Sequence, residues 1–447
     1  MDDVPAALPR EAFIADRRAE RPARSRQRPF YGWYILALFW LILATNLAFP
    51  MYGSGVISSH MAEALGMNGK ELGLSFSIFM AMLGLPAPLI AMGIARFGLR
   101  PAFAVGSLLI AGGAFAMATI VDNALGAALA FGTAVALGVA MSGNIATQIG
   151  IGRWFVRRRS LALAIMFSAN GIGGLIAPPL LEAVIARNGD WRSGWWIIGC
   201  LALVMGALAT LVARDRPEDV GQFADGGTRE TARKAAAPAR VHITAWDFTF
   251  AQALRTAALW LIVAAIMANF LGLSLVLSHG VPNLRSLGHS PAAAALAVSM
   301  ISGGTLAGKL MLGIHGDRIE PRLLWAVSSA MIGLGLLAAP FAASTGGMML
   351  YALPFGIGFG GALVMQTAIL LNYFGLRLFG TLIGLALFAQ TLLGALTPFV
   401  AGWLFDRLGS YLFPFAIAGA VNLAAAAILV FVRPPAPSVT PEAESSI

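Results

Sequence analysis

Apolar residues in this chain gather into long continuous runs, separated by short polar stretches rich in arginine and glycine. Twelve runs reach roughly 20 residues or more, enough to cross ~30 Å of hydrocarbon as a helix. They cover residues 31–57, 69–95, 101–121, 125–151, 160–186, 193–213, 256–279, 291–316, 322–343, 346–373, 379–405 and 411–432. Backbone groups in lipid must be satisfied within a helix or a closed barrel, and these runs lack the alternation of strands. The pattern predicts an all-α membrane protein of twelve transmembrane helices.

The longest polar interval, residues 214–245, divides the runs into two sets of six and is rich in charge, alanine, glycine and proline. It is expected as a linker between six-helix bundles at 30–213 and 246–433, with tails at 1–29 and 434–447. Residues 244–254 suit a short interfacial helix leading into the seventh span. The halves also echo each other at an offset of about 220 residues. Gly93, Ile94 and Arg96 return as Gly313, Ile314 and Arg318, while Pro178, Arg187 and Gly189 return as Pro398, Arg407 and Gly409. Parallel repeats of this kind pack around a central site and rock about it.

Composition agrees: of 447 residues 58% are hydrophobic and 11% charged, with mean hydropathy +0.78. The net charge of +9 would suit nucleic acid, but the arginines lie between apolar runs, as orientation in a bilayer requires. With both termini inside, 24 of the 30 basic residues fall on the inner side, five fall outside, and Lys309 is left within a run. This bias predicts a multi-pass protein of the cytoplasmic membrane with both ends cytoplasmic. Residues 1–29 are polar and arginine-rich, unlike a cleavable signal. One cysteine, Cys200, leaves no basis for a disulfide or zinc site. No phosphate-cradling loop is visible, since the glycines at 356–361 lie in an apolar run without a following Lys-Ser/Thr. No cofactor, metal or nucleic-acid partner is expected, and the chain is expected to act as a monomer in lipid.

At this point the chain resembles the major facilitator superfamily over residues 30–432. Gly313, Asp317 and Arg318 are similar to that superfamily's motif between helices 2 and 3, repeated in the second half. The first-half copy keeps Arg96, Gly98 and Arg100 but has Ala95 where the family has aspartate. Trp154, Phe155, Arg157, Arg158, Arg159, Leu161 and Ala162, followed by Ser168 and Gly173, resemble the signature of monocarboxylate porters. Residues 30–34 resemble the bacterial branch that includes oxalate/formate antiporters. The resemblance implies a twelve-helix transporter in two six-helix pseudo-repeats. It also implies that Gly308, Lys309 and Gly313 stand where the family has a carboxylate-binding arginine. Thr305 and Gln390 then occupy places where relatives keep a further aspartate and a further cation. The resemblance further implies that Arg96, Arg100, Asp317 and Arg318 pair with helix ends at the inner gate.

From the residues alone, Lys309 is the centre of the reading. A lysine inside hydrocarbon is costly and marks a substrate or ion path. The alternative is that it snorkels to headgroups or pairs with Asp317. Ser302, Thr305 and Lys309 fall at i, i+3 and i+7 and share a helix face. Asn46, Asn144, Gln148, Asn170, Asn269, Gln366 and Gln390 lie near mid-depth, each able to line a cavity or join helix to helix. Asn144 and Gln148 share a face, whereas Asn170, beside Gly171, Gly173 and Gly174, reads as close packing. No carboxylate lies at mid-depth, so a coupled proton would ride on Lys309, on His279 or on the substrate, with Glu182 near a helix end a lesser candidate. Trp33, Tyr34, Trp191, Trp195, Trp196 and Trp403 sit at run ends, where an interfacial belt places them.

The expected function is secondary transport of a small organic anion, a monocarboxylate, by symport, antiport or uniport. Lys309, Thr305, Ser302, Asn144, Gln148, Gln366, Gln390 and Asn46 are the expected substrate contacts. Export of a drug-like or amphipathic compound by the same fold is the alternative. A non-transporting sensor lacks its extramembrane domain, and an enzyme lacks a metal cluster or a nucleophile with its base.

Overall fold

The structure, a computed structural model, describes residues 29–67, 69–226, 241–244 and 248–435. Nearly all of the tails, part of the linker and residues 245–247 of the expected interfacial helix lie outside the described residues. Twelve helical spans carry the fold. The first half holds α1 (Gly32–Leu65), α2 (Gly69–Gly84 continued by Ala87–Phe97), α3 (Leu99–Thr119), α4 (Ala124–Trp154), α5 (Arg159–Asn188) and α6 (Arg192–Val212). The second holds α7 (Ala257–Ser286), α8 (Pro291–His315), α9 (Pro321–Ala338), α10 (Thr345–Phe374), α11 (Leu376–Leu408) and α12 (Leu412–Phe431). No strand occurs among the described residues.

Local chemistry explains where the helices begin, end and break. The side chains of Asn123, Thr256, Ser290 and Ser344 accept the first free N–H groups of α4, α7, α8 and α10. Gly189 and Gly409 close α5 and α11 at φ 68° and 64°, a conformation open to glycine, and they are one of the sequence pairs repeated between the halves. Two spans expected to be continuous are not. Between its two segments at Leu85 and Pro86, α2 bends by 46°, because proline removes a backbone donor and clashes with the preceding turn. Near mid-span, α4 is interrupted at Gly143 (φ −90°, ψ −125°) and resumes at Asn144.

Each half is tied internally by a buried polar node at the same place. Asn46 on α1 donates to Ser107 on α3 at 2.9 Å, and Asn269 on α7 donates to Ser329 on α9 at 3.0 Å. The two nodes are related by the offset already seen in the motifs. Asn269 also accepts from Trp325 at 2.8 Å and donates to Asn422 on α12 at 2.9 Å. The aromatic belt needs one correction. Trp33, Tyr34, Trp196 and Trp403 are exposed on the outer wall, but Trp191 and Trp195 are buried, Trp195 against Phe131. Position near a helix end did not reveal that these two rings turn inward.

The start of α3 and the ends of α4 and α6 meet on one face, here called basal. There Asp215 accepts from Leu99 N at 2.6 Å and pairs with Arg153 at 3.2 Å, while Trp154 donates to the Arg214 carbonyl. The two ends of the linker dock on this face. Asp225 receives the N–H groups of Val156 and Arg157, and Thr244 N donates to the Asn372 carbonyl at 2.7 Å. Within 245–254 the described helix is Phe250–Leu254, capped by Thr249.

Candidate functional site

Polar contacts between the two halves gather toward the basal face. The Asp317 carboxylate, in the α8–α9 turn, accepts from Ser160 N at 2.8 Å and Leu161 N at 3.2 Å and so caps α5 of the other half. Arg159 is buried and donates to Asn372 on α10 at 2.7 Å. Thr367 on α10 donates to Gln148 on α4 at 2.9 Å. Lys309 on α8 donates to the carbonyl oxygen of Phe167 on α5 at 3.1 Å. Burial raises the Asp317 carboxyl above its ordinary value, against the lowering effect of the Ser160 and Leu161 N–H groups.

Above these contacts lies a cavity of about 80 Å³ between the halves. The first half contributes Asn144 and Gln148 from α4 and Phe167 and Asn170 from α5. The second contributes Gln366 and Gln390, and an apolar wall of Ile266, Leu363, Ile383, Ala386 and Leu387. Five carboxamides therefore converge on one small space, and no charged side chain lines it.

Of the three first-half carboxamides, Gln148 has a side-chain partner, whereas the Oδ1 atoms of Asn144 and Asn170 have none. The Thr367 hydroxyl lies 2.9 Å from Gln148 Oε1 and 3.1 Å from the Leu363 carbonyl, and shares its one proton between them. Without a partner for Oδ1, the Asn144 and Asn170 carboxamides are free to turn their N–H groups toward a ligand. The first-half wall of the cavity is thus made of three carboxamides and the Phe167 ring. The break at Gly143 adds to it, because Asn144 begins an eleven-residue half-helix whose positive end lies at the cavity wall.

Of the expected substrate contacts, Asn144, Gln148, Gln366 and Gln390 line the cavity and the other four do not. Lys309 is 4% exposed and sits behind Phe167, neither snorkelling nor paired with Asp317. Thr305 and Ser302 return their hydroxyls to the carbonyls of Ile301 and Val298 on their own helix, so the polar stripe on α8 does not converge on one ligand. Asn46 belongs to the α1–α3 node. Of the expected gate residues, Asp317 joins the halves. Arg100 holds the Ala213 carbonyl at the end of α6 at 2.6 Å, Arg96 stacks over Phe97, and Arg318 is exposed. Asn170, read as packing, lines the cavity. Arg159, named above only within the porter-like signature, lies between the halves through its contact with a residue 213 positions away. Glu182 pairs with His60 at 2.9 Å at the end remote from the basal face.

The bilayer-length spans, the six-plus-six repeat and the central cavity define a multi-pass membrane transporter of two bundles. The chain belongs to the Major Facilitator Superfamily, whose family profile matches residues 35–283 and 280–446. Among curated relatives it is 27% identical to the uncharacterized MFS-type transporter YcxA of Bacillus subtilis over 41% of this chain and 43% of that protein. It is 27% identical to monocarboxylate transporter 3 of Gallus gallus over 43% of this chain and 34% of that protein. It is 25% identical to human monocarboxylate transporter 11 over 71% of this chain and 63% of that protein. These matches to YcxA and to transporter 3 span less than half of those relatives. Among solved structures, the proton:xylose symporter XylE bound to 6-bromo-6-deoxy-D-glucose superimposes with TM-score 0.67 at 16% identity, covering 90% of this chain and 95% of that one. The transporter FucP in the outward conformation gives TM-score 0.67 at 14% identity, covering 90% and 98%. At these identities the structural likeness shows the fold.

Proposed function

We propose that this protein carries a small organic anion, a monocarboxylate, across the cytoplasmic membrane by alternating access, with both termini on the cytoplasmic side. The observation that carries this reading is the carboxamide-lined central cavity, with the buried ammonium of Lys309 held on the carbonyl of its lining residue Phe167. An anion entering there meets amide N–H groups and the positive end of the α4 half-helix. The field of Lys309 acts on it through a low-dielectric interior. A second buried negative charge would have no cation of its own, which favours a monoanion. The similarity to monocarboxylate transporters supports the same class.

The space of about 80 Å³ favours a small substrate over a drug-like one, since drug-sized sites run to roughly 300–1,000 Å³. In this reading the basal face is the inner gate, closed by Asp317, Arg159, Gln148 and Lys309, and protons are the co-substrate to be tested. The deciding experiment is uptake of radiolabelled monocarboxylates by the purified chain in proteoliposomes, with and without a pH gradient. A thermal-shift screen against organic acids, sugars and lipophilic cations runs beside it. Saturable uptake of a monocarboxylate supports the assignment. Stabilisation by a neutral sugar or a lipophilic cation, with no response to any acid, overturns it.

A further inference from the structure

We infer that recognition is divided between the two halves: the first half holds the carboxylate head and the second half measures the apolar body. The inference rests on the anion reading above. Its starting point is the uneven lining of the cavity. Every aliphatic residue in it belongs to the second half, on α7, α10 and α11, whereas the first half offers three carboxamides and one ring.

The first-half carboxamides can offer donors to this space. With no partner on Oδ1, Asn144 and Asn170 can turn their N–H groups to a ligand without breaking a hydrogen bond of that oxygen. A carboxylate accepts hydrogen bonds and donates none, so it matches this wall and would be poorly served by a wall of acceptors. The interruption of α4 places a half-helix N-terminus beside the same three residues. Irregular backbone at membrane depth is tolerated where it is buried in protein or lines a cavity, and half-helix N-termini suit anionic groups.

Asn170 is the residue this assigns anew. It lies one turn from Phe167 on α5, and Phe167 both lines the cavity and gives its carbonyl to Lys309. A head group resting on Asn170 therefore sits on the wall that Lys309 backs, and Lys309 neutralises it without direct contact. On the opposite wall Leu363, Ile383 and Leu387 form an apolar patch beside Gln366 and Gln390, and on that patch the body of the substrate is selected by size.

The test is a homologous series of acids, acetate, propionate, butyrate and hexanoate, against the full chain in proteoliposomes. A charge-assisted hydrogen bond contributes roughly 1.5–3 kcal/mol, which converts to about tenfold to a hundredfold. Asn170→Ala should raise KM by at least about tenfold for every acid alike, so that the ratio between hexanoate and acetate stays as in the wild type. Leu363→Ala should move that ratio toward hexanoate by about tenfold. Asn170→Asp, nearly equal in volume, should lose uptake of the whole series while melting close to the wild type. If Asn170→Ala changes the hexanoate-to-acetate ratio, or if Asn170→Asp transports acids normally, the division is wrong. If the wild type neither transports nor is stabilised by any acid, the anion reading fails and takes this inference with it.

Discussion

Lys309 on α8 gives its ammonium to the carbonyl oxygen of Phe167 on α5 at 3.1 Å, across the boundary between the two six-helix bundles. A charge held by one neutral acceptor in a buried place is a burden on stability. Its replacement therefore separates function from folding. Lys309→Met should melt at or above the wild-type midpoint, since a hydrophobe replaces an uncompensated charge, while monocarboxylate uptake falls by at least about tenfold. Lys309→Arg should keep part of the uptake. Wild-type uptake by Lys309→Met in proteoliposomes would remove Lys309 from the mechanism.

The gate should respond to pH through Asp317. Its carboxyl is raised by burial when it caps α5 and returns toward the ordinary value when the gate opens to water. A group with its pKa raised in the closed form binds the proton more tightly there, so protonation favours closure. That contribution is fully present below the ordinary carboxylate pKa and is lost as pH rises through the raised one. A cysteine at Ala164, which packs against Gly313 between the halves at the proposed gate, reports the equilibrium in a Cys200→Ser background. Its labelling should slow as pH falls into the carboxylate range, and Asp317→Asn should flatten the dependence. Faster labelling in acid would reverse the sign.

The Asn46–Ser107 and Asn269–Ser329 nodes are packing contacts, and their loss should show in stability. Polar contacts of this kind between membrane helices average about 0.6 kcal/mol and reach about 1.7. Asn46→Ala should lower the melting midpoint by a small amount and Asn269→Ala by more, because it also leaves the buried Trp325 Nε1–H without its acceptor, and both should leave KM within about twofold. A tenfold rise in KM for Asn46→Ala would return that residue to the site.

The α8–α10 contact is close enough to depend on glycine. A Cβ at Gly308 would fall on the Ile357 carbonyl oxygen, and one at Gly360 on that of Thr305. Gly308→Ala and Gly360→Ala should each destabilise by about 1–3 kcal/mol and reduce uptake, because both spread the helix that carries Lys309. Gly171→Ala is the control, since its Cβ meets Leu306 at an ordinary 4.0 Å. Equal melting of all three variants would show that α8 and α10 separate freely.

The twelve spans, the half repeat and the buried cation were legible in the sequence, because each depends on run length or on a charge in an apolar setting. Hydrocarbon thickness and the energy of a buried charge act on any chain alike, so Lys309 and the six-plus-six division need no knowledge of neighbours. Which face of each helix turns inward is another matter. Asn144 and Asn46 read alike as mid-depth carboxamides, yet one borders the cavity and the other meets Ser107. Asn170 was hidden by the glycines around it, and Arg159 by its place in a charged loop. The hints that could have helped are the glycine at 143, inside a run long enough to span, and Pro86 in the second run. The rest was decided by tertiary structure, because a hydrogen bond such as that of Thr367 to Gln148 joins residues 219 apart. A local pattern can specify that a helix forms and how long it is. The rotation that brings Asn170 into the cavity and sets Lys309 behind Phe167 depends on the packing of α5 against α8, and that packing exists only once both halves are assembled.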